Sequence, residues 1–298
     1  MVAHHLHFRL YRHFVNYRFP LLELCFAPLL QRKFLIFMKK YWTIFKVNWQ
    51  VTLTYRANIV LWFLTAVVQT AFLLYLWIAV YDSGGKIGNY SFRELFTYYV
   101  LQLIIYQVAT TFISWDIIQE IKDGNFSQYL LKPVNYFKWQ FTSNLSFKAA
   151  EIVFSISGLI IVVLAAQKYL LPPDSILTLF HTIVLTIFSA ILAFLLEFII
   201  GITAFWIINA HNLRMLVSVF NRFFSGSLIP LTLLPGPLII ISQFLPFPFL
   251  SYVPVQVYLG KINIGNAYAG MIFWIIFMAI FAYYYFKLSI KRYEAVGA

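Results

Sequence analysis

The sequence predicts an all-α integral membrane protein, and three observations predict it. Of its 298 residues, 62% are hydrophobic and 20% aromatic. Only 11% are charged, against about 25% in a soluble domain. Apolar runs long enough to cross a bilayer recur along the chain. This leaves one membrane domain and no room for a separate soluble enzyme domain.

Residues 1–37 stand apart. They are rich in His and Arg and are broken by Pro20 and Pro28. Glu23 interrupts their apolar part and Gln31-Arg32-Lys33 follows it, without a small-residue cleavage site, so the layout is not that of a signal peptide. Met38-Lys39-Lys40 reads as a natural start, which makes residues 1–37 an upstream extension. The intact mass of the native protein decides that expectation.

Residues 38–56 carry a second pattern. Lys39, Thr43, Lys46, Gln50 and Thr54 recur at helical spacing and form one polar stripe. Trp42, Phe45, Trp49 and Tyr55 lie among the apolar residues that fill the rest. A narrow cationic face beside a broad aromatic one predicts an amphipathic helix in the headgroup plane. The other reading is a helix that runs straight into the first span.

Six spans follow, within one membrane domain of residues 57–288. They are expected at Asn58–Val80, Leu95–Trp115 (continuing through Ile121), Ala149–Leu171, Ile176–Ile208, Leu216–Leu233 and Tyr268–Leu288. A short tail, 289–298, closes the chain. Lys and Arg set the orientation. One side carries nine up to Arg56, then Lys122, Lys132, Lys138, Lys148, Arg214, Arg222, Lys287, Lys291 and Arg292. The other side carries only Lys86, Arg93, Lys168 and Lys261. Both termini are therefore expected in the cytoplasm. The net charge of +12 is accounted for by this asymmetry, and no nucleic-acid partner is expected. Cys25 is the single cysteine, so neither an intrachain disulfide nor a Cys/His zinc site is expected.

Two segments interrupt the spans. The first joins spans two and three and reads Glu120-Ile-Lys-Asp123-Gly124-Asn-Phe126-Ser127-Gln-Tyr129-Leu130-Leu131-Lys132-Pro133. Gly124 can end a helix in a left-handed cap. Ser127 can cap a new short helix, Pro133 stops it, and Asn135 can cap the helix beyond. Phe126, Tyr129, Leu130 and Leu131 then sit on the cytoplasmic side, away from lipid. They call for a partner's groove or for a turn folded against the chain's own membrane face; both readings stand.

The second segment lies between spans five and six. From Ser225 to Gly260 it is mostly apolar, yet it holds six prolines and three glycines, among them Gly226, Pro230, Pro235, Pro246, Pro254 and, beside them, Phe247. Proline breaks helix interiors, and a broken helix at membrane depth needs protein or a wet cavity to satisfy its freed backbone. The segment is expected to form a re-entrant outer gate over about 234–260, with an interfacial loop as the alternative.

With these features in view, the chain from Met38 to Ala298 resembles the six-span permease subunits of ABC transporters of the type-2 exporter class. The resemblance rests on the amphipathic segment, the 120–133 connection, the Pro-punctuated segment and the ending Lys291-Arg292-Tyr293-Glu294-Ala-Val-Gly-Ala298. It is close to bacterial permeases found as paired subunits beside one ATPase. It implies that the short helix at about 125–133 is a coupling helix docked on a separate ATPase, with Glu120, Asp123, Gly124, Phe126, Tyr129, Leu130, Leu131 and Pro133 in the coupling region. It implies a second permease, identical or homologous, and a bacterial plasma membrane. ATP and Mg would sit on the ATPase.

The chain itself has no phosphate loop. Ser83-Gly84-Gly85-Lys86 is followed by Ile87 and lacks the required spacing. No cofactor is expected in this chain. Glu197 falls inside span four, where a carboxylate costs roughly 2.5–3.5 kcal/mol. It reads either as a substrate, proton or gate site or as a buried hydrogen-bonded group. Lys148 and Glu151, three apart, read as a salt bridge at a helix end. The expected function is ATP-driven export of a hydrophobic or amphiphilic solute. An ATP-independent channel or scaffold, which would not need the short helix, is the alternative. A lipid-modifying enzyme would require clustered His, Asp or Glu near one face, which the sequence lacks.

Overall fold

The computed structural model describes residues 38–85, 88–207 and 209–293; the expectations for residues 1–37 and 294–298 lie outside these. The chain divides into two compact units, Met1–Val47 and Asn48–Ala298. In the first, residues 38–47 are helical. Lys39, Thr43 and Lys46 of the polar stripe are exposed there, and Lys46 lies 5.5 Å from the centre of the Trp42 ring. In the second, residues 48–54 are helical and expose Gln50 and Thr54.

Ten further α-helices build the second unit, and no strand occurs among the described residues. They are α1 (Arg56–Asp82), α2 (Phe92–Ala109), α3 (Ile113–Lys122), α4 (Phe126–Leu131), α5 (Tyr136–Ala166), α6 (Ile176–Ile202), α7 (Ala210–Phe224), α8 (Gly236–Gln243), α9 (Tyr252–Tyr258) and α10 (Ile264–Ile290). Their starts are chemically marked. Ser91 and Glu94 form a capping box for α2, and Asn135, Ser175 and Asn263 accept from first-turn amides of α5, α6 and α10.

Five described stretches are long and apolar enough to cross a membrane: Arg56–Asp82, Phe92–Lys122, Tyr136–Ala166, Ile176–Phe205 and Ile264–Ile290. The protein is thus an all-helical, multi-pass membrane protein. The fifth expected span, Leu216–Leu233, is not one continuous helix. The helix there is α7, 15 residues long and ending at Phe224. At about 1.5 Å per residue it reaches roughly 22 Å, short of a core about 30 Å thick. Gly226, at φ +76°, turns the chain just past its end. Short 3-10 turns, α8 and α9 replace the rest of the apolar run.

Span two is likewise interrupted. Thr110 is extended, and α3 starts only at Ile113. The Thr111 hydroxyl hydrogen-bonds Asn144 on α5, the kind of side-chain bond that competes with helix continuation. Span three begins earlier than hydropathy suggests, because Asn135 caps α5 ahead of Tyr136. The Lys148–Glu151 pair consequently lies inside α5, not at a helix end, and both residues are buried.

α6 is the central element. It packs against α2, α3, α7, α9 and α10. One core unites α3 and α6 with Phe126 and Tyr136, and a second joins Leu185 and Leu192 of α6 to Val253, Val257 and Met271. α1, by contrast, is mostly exposed along its length, as a lipid-facing helix must be.

Candidate functional site

Three linked regions form the candidate site: the 120–136 connection, a cavity inside the helical unit, and the 225–260 segment.

In the connection, the backbone follows the sequence closely. Gly124 adopts φ +72°, which only glycine takes without strain. Lys132, before Pro133, is extended and ends α4. The N-cap position belongs to Asn125, not Ser127; the Ser127 hydroxyl instead donates back to the Gly124 carbonyl at 2.7 Å.

The side chains divide into two sets. Phe126 is fully buried, with the rings of Tyr136, Phe205 and Tyr293 about it at 4.9–5.0 Å. Tyr129 donates to Glu120 at 2.8 Å. Tyr136 and Gln140 donate to the same carboxylate at 2.6 and 3.0 Å. Of the two readings left open by sequence, Phe126 and the half-buried Tyr129 follow the turn folded against the chain itself. Burial first, and then the Glu120 carboxylate, push the Tyr129 hydroxyl well above the usual tyrosine range, so it stays a donor. Leu130 and Leu131 form the other set, at 54% and 88% exposure. Asp123 and Pro133 are exposed too, and Asp123 accepts from Gln119 at 2.8 Å.

The 225–260 segment shows the complementary arrangement. The Tyr98 hydroxyl donates to the Gly226 carbonyl at 2.6 Å and Tyr99 to the Leu228 carbonyl at 2.8 Å. Ser251 donates to the Ser225 carbonyl at 2.9 Å, and Ser189 to that of Phe249 at 2.7 Å. A side chain at Gly226 would overlap the Tyr98 hydroxyl, with its Cβ 2.6 Å from that oxygen. Pro230, Pro246 and Pro254 are buried, Phe247 is half-buried and Pro235 is exposed. Pro254 does not break a helix: it stands in the first turn of α9, where no intrahelical donor is lost.

A cavity of about 250 Å³ borders the 225–260 segment through Ser225, Leu250 and Ser251. Its wall includes Gln69 of α1, Gln102 and Leu103 of α2, Glu197 of α6, and Arg214 and Arg222 of α7. Glu197 is neither free nor merely hydrogen-bonded. Ser114 donates to its carboxylate and accepts from Arg214 Nε at 2.6 Å, and Arg214 Nε lies 3.6 Å from the carboxylate. The guanidinium also stacks over Trp115 at 4.7 Å. Arg214, counted from sequence among the loop cations, is instead buried in this trio.

Neither Arg214 nor Ser114, nor the tyrosines 98, 99, 136 and 293, was singled out as a site residue by sequence. Tyr98-Tyr99 with Gln102 inside a span was an available signal, since polar groups at that depth face protein. Tyr293 lay within the quoted ending; its hydroxyl donates to the Gly124 carbonyl at 3.0 Å. His181 and Tyr268 pair at 3.1 Å, and His211 lies 4.6 Å from the Trp115 ring; neither enters a cluster with ligand character.

A sequence profile described as "ABC-2 family transporter protein" matches residues 66–297, spanning both interruptions and the cavity. The chain belongs to the ABC-2 transporter family. As an ABC-2 permease it is the membrane component of an ABC transporter, a component without a nucleotide-binding domain of its own, and the family implies an ATPase partner. No curated protein and no solved structure matches the chain.

Proposed function

We propose that this ABC-2 permease exports an amphiphilic solute across a bacterial plasma membrane, driven by a separate ATPase that grips the 124–133 segment. The observation that carries the reading is the two-faced α4. Phe126 is wholly buried while Leu131 is 88% exposed, so the helix is fixed to the spans on one side and free on the other. An exposed Leu pair away from lipid suits an apolar groove. Motion of that groove would pass through Glu120 and Phe126 to α3, α5 and α10, all of which meet at this point. From α3 it would reach α6 and α7 through Ser114, Glu197 and Arg214. α7 leads directly into the 225–260 segment, which serves as the outer gate, and both termini lie in the cytoplasm. A second permease, identical or homologous, completes the pathway.

Replacing Leu130 and Leu131 together by Asp tests the coupling. In a reconstituted complex the double variant is expected to lose solute-stimulated ATP hydrolysis about tenfold or more, because charge is forced into an apolar contact. Insertion and thermal stability are expected to stay unchanged, since both side chains are exposed. Normal transport by the variant would refute the docking.

A further inference from the structure

The proposed function leaves the solute undefined beyond its amphiphilic character, and the cavity wall carries more information than that. Composition suggests a route lined by aromatic and aliphatic groups. The wall is instead mixed: Leu73, Leu103 and Leu250 share it with amide, hydroxyl and charged groups. Three charged side chains line it, Glu197, Arg214 and Arg222. The first two are occupied with one another through Ser114. Arg222 remains: it is exposed, and its guanidinium makes no ion pair or hydrogen bond with any described residue. One residue earlier on α7, the buried Oδ1 of Asn221 also has no hydrogen-bond partner. Gln69 stands mid-way along α1, a mostly apolar span, and lines the same space beside Thr70.

The buried Asn221 oxygen is costly unless a donor reaches it, and the exposed Arg222 is free to take an acid. An unpaired guanidinium forms its strongest bonds with a carboxylate or phosphate. The volume, about 250 Å³, falls just below the span of roughly 300–1,000 Å³ usual for whole small-molecule sites. It suits a head group and the first carbons of a chain, with the rest of the chain lying against the apolar wall.

We propose that this cavity binds the anionic head group of an amphiphile, with Arg222 pairing the acid, Asn221 Oδ1 accepting from its remaining O–H, Gln69 beside them, and Leu103 and Leu250 meeting the start of the chain. The proposal rests on reading the protein as a permease for amphiphilic solutes, and its test needs no ATPase, so the two can fail separately.

The full chain, purified in an uncharged maltoside detergent, is labelled with a dodecyl phosphate bearing a diazirine near its head, and adducts are mapped by peptide mass spectrometry. Labelling is expected in α2 and α7 peptides. Unmodified dodecyl phosphate should compete, while dodecyltrimethylammonium and inorganic phosphate should not. Arg222→Gln should lower labelling about tenfold, as loss of a charge-assisted pair implies. Arg222→Lys should retain most of it, and Lys287→Gln, an exposed cation on α10 outside the cavity wall, should change nothing. Three results would overturn the proposal: equal competition by the cationic amphiphile, equal competition by inorganic phosphate, or labelling indifferent to Arg222→Gln. Coupling lost in the Leu130/Leu131 variant with labelling intact would leave both proposals standing. Labelling lost in the wild-type chain alongside normal ATP-linked transport would remove only this one.

Discussion

The 120–136 connection and the 225–260 segment solve the same problem with tyrosines used in opposite ways. Both interrupt helices with a left-handed glycine and a proline, Gly124 with Pro133 and Gly226 with Pro230. In the connection, Tyr129 and Tyr136 donate to a side chain, the Glu120 carboxylate. In the other segment, Tyr98 and Tyr99 donate to backbone carbonyls, those of Gly226 and Leu228. The difference follows from surroundings. In the connection, the Gly124 carbonyl takes the Ser127 and Tyr293 hydroxyls, which leaves Tyr129 and Tyr136 to anchor the turn through Glu120. Where the chain is buried, no solvent arrives, and each broken turn takes a donor from an adjacent helix.

The sharpest way to break this comparison sets Phe126→Ala against the Leu130/Leu131 double variant. Removing the buried ring is expected to cost about 3–5 kcal/mol, lowering the melting temperature in detergent. The exposed pair should lower coupling and leave melting alone. If the two variants gave the same phenotype, the division of α4 into an anchoring and a docking face would be wrong.

Gly226→Ala comes next. The added methyl combines a left-handed backbone with overlap on the Tyr98 hydroxyl, and strained positions of this kind cost about 1–3 kcal/mol. Limited proteolysis should open the 225–260 segment while sparing the 120–136 connection.

A subtler contrast comes from removing one hydroxyl in each region. Tyr98→Phe leaves the buried Gly226 carbonyl with only Gln102 at 3.3 Å, and is expected to cost about 1–3 kcal/mol. Tyr129→Phe leaves Glu120 with two donors, and about 0.5–1.5 kcal/mol is expected. Thermal melts of the two single variants, with the order reversed, would contradict the account.

The smallest effect is a pH dependence of the connection. The Tyr129 hydroxyl is held above its unfolded value, so its contribution is complete below about pH 10, the ordinary tyrosine value. It is lost as pH rises through the folded value, because the native state then binds the extra proton. Fluorescence of Trp139, whose ring lies 5.4 Å from Tyr129, should report loosening only in strong alkali. Tyr129→Phe should remove that dependence.

Local chemistry made much of this legible before any coordinates. Gly124, Pro133 and Asn135 act on their own neighbours, and each does in the fold what its type implies. Ser127 was misplaced by two residues because a hydroxyl in a tight turn has two acceptable partners, an amide ahead and a carbonyl behind. The break in the fifth span had a different cause. Hydropathy over 216–233 is high, but average hydropathy is blind to a turn that Gly226 makes in the middle of the run. The inward face of Phe126 was undecidable because the rings that cover it come from Phe205 and Tyr293, far along the chain.

Composition, basic asymmetry and the Gly and Pro positions determined that this chain is a helical membrane protein with two deliberate interruptions, since those properties act within a few residues of where they are written. Tertiary structure alone decided that Tyr129 and Tyr136 meet a carboxylate and that Tyr98 and Tyr99 meet bare carbonyls. It alone decided that Glu197 meets Arg214 through Ser114 and that Arg222 is left facing a cavity. Those outcomes depend on which helices lie side by side, and side chains a hundred residues apart meet only after the spans have packed.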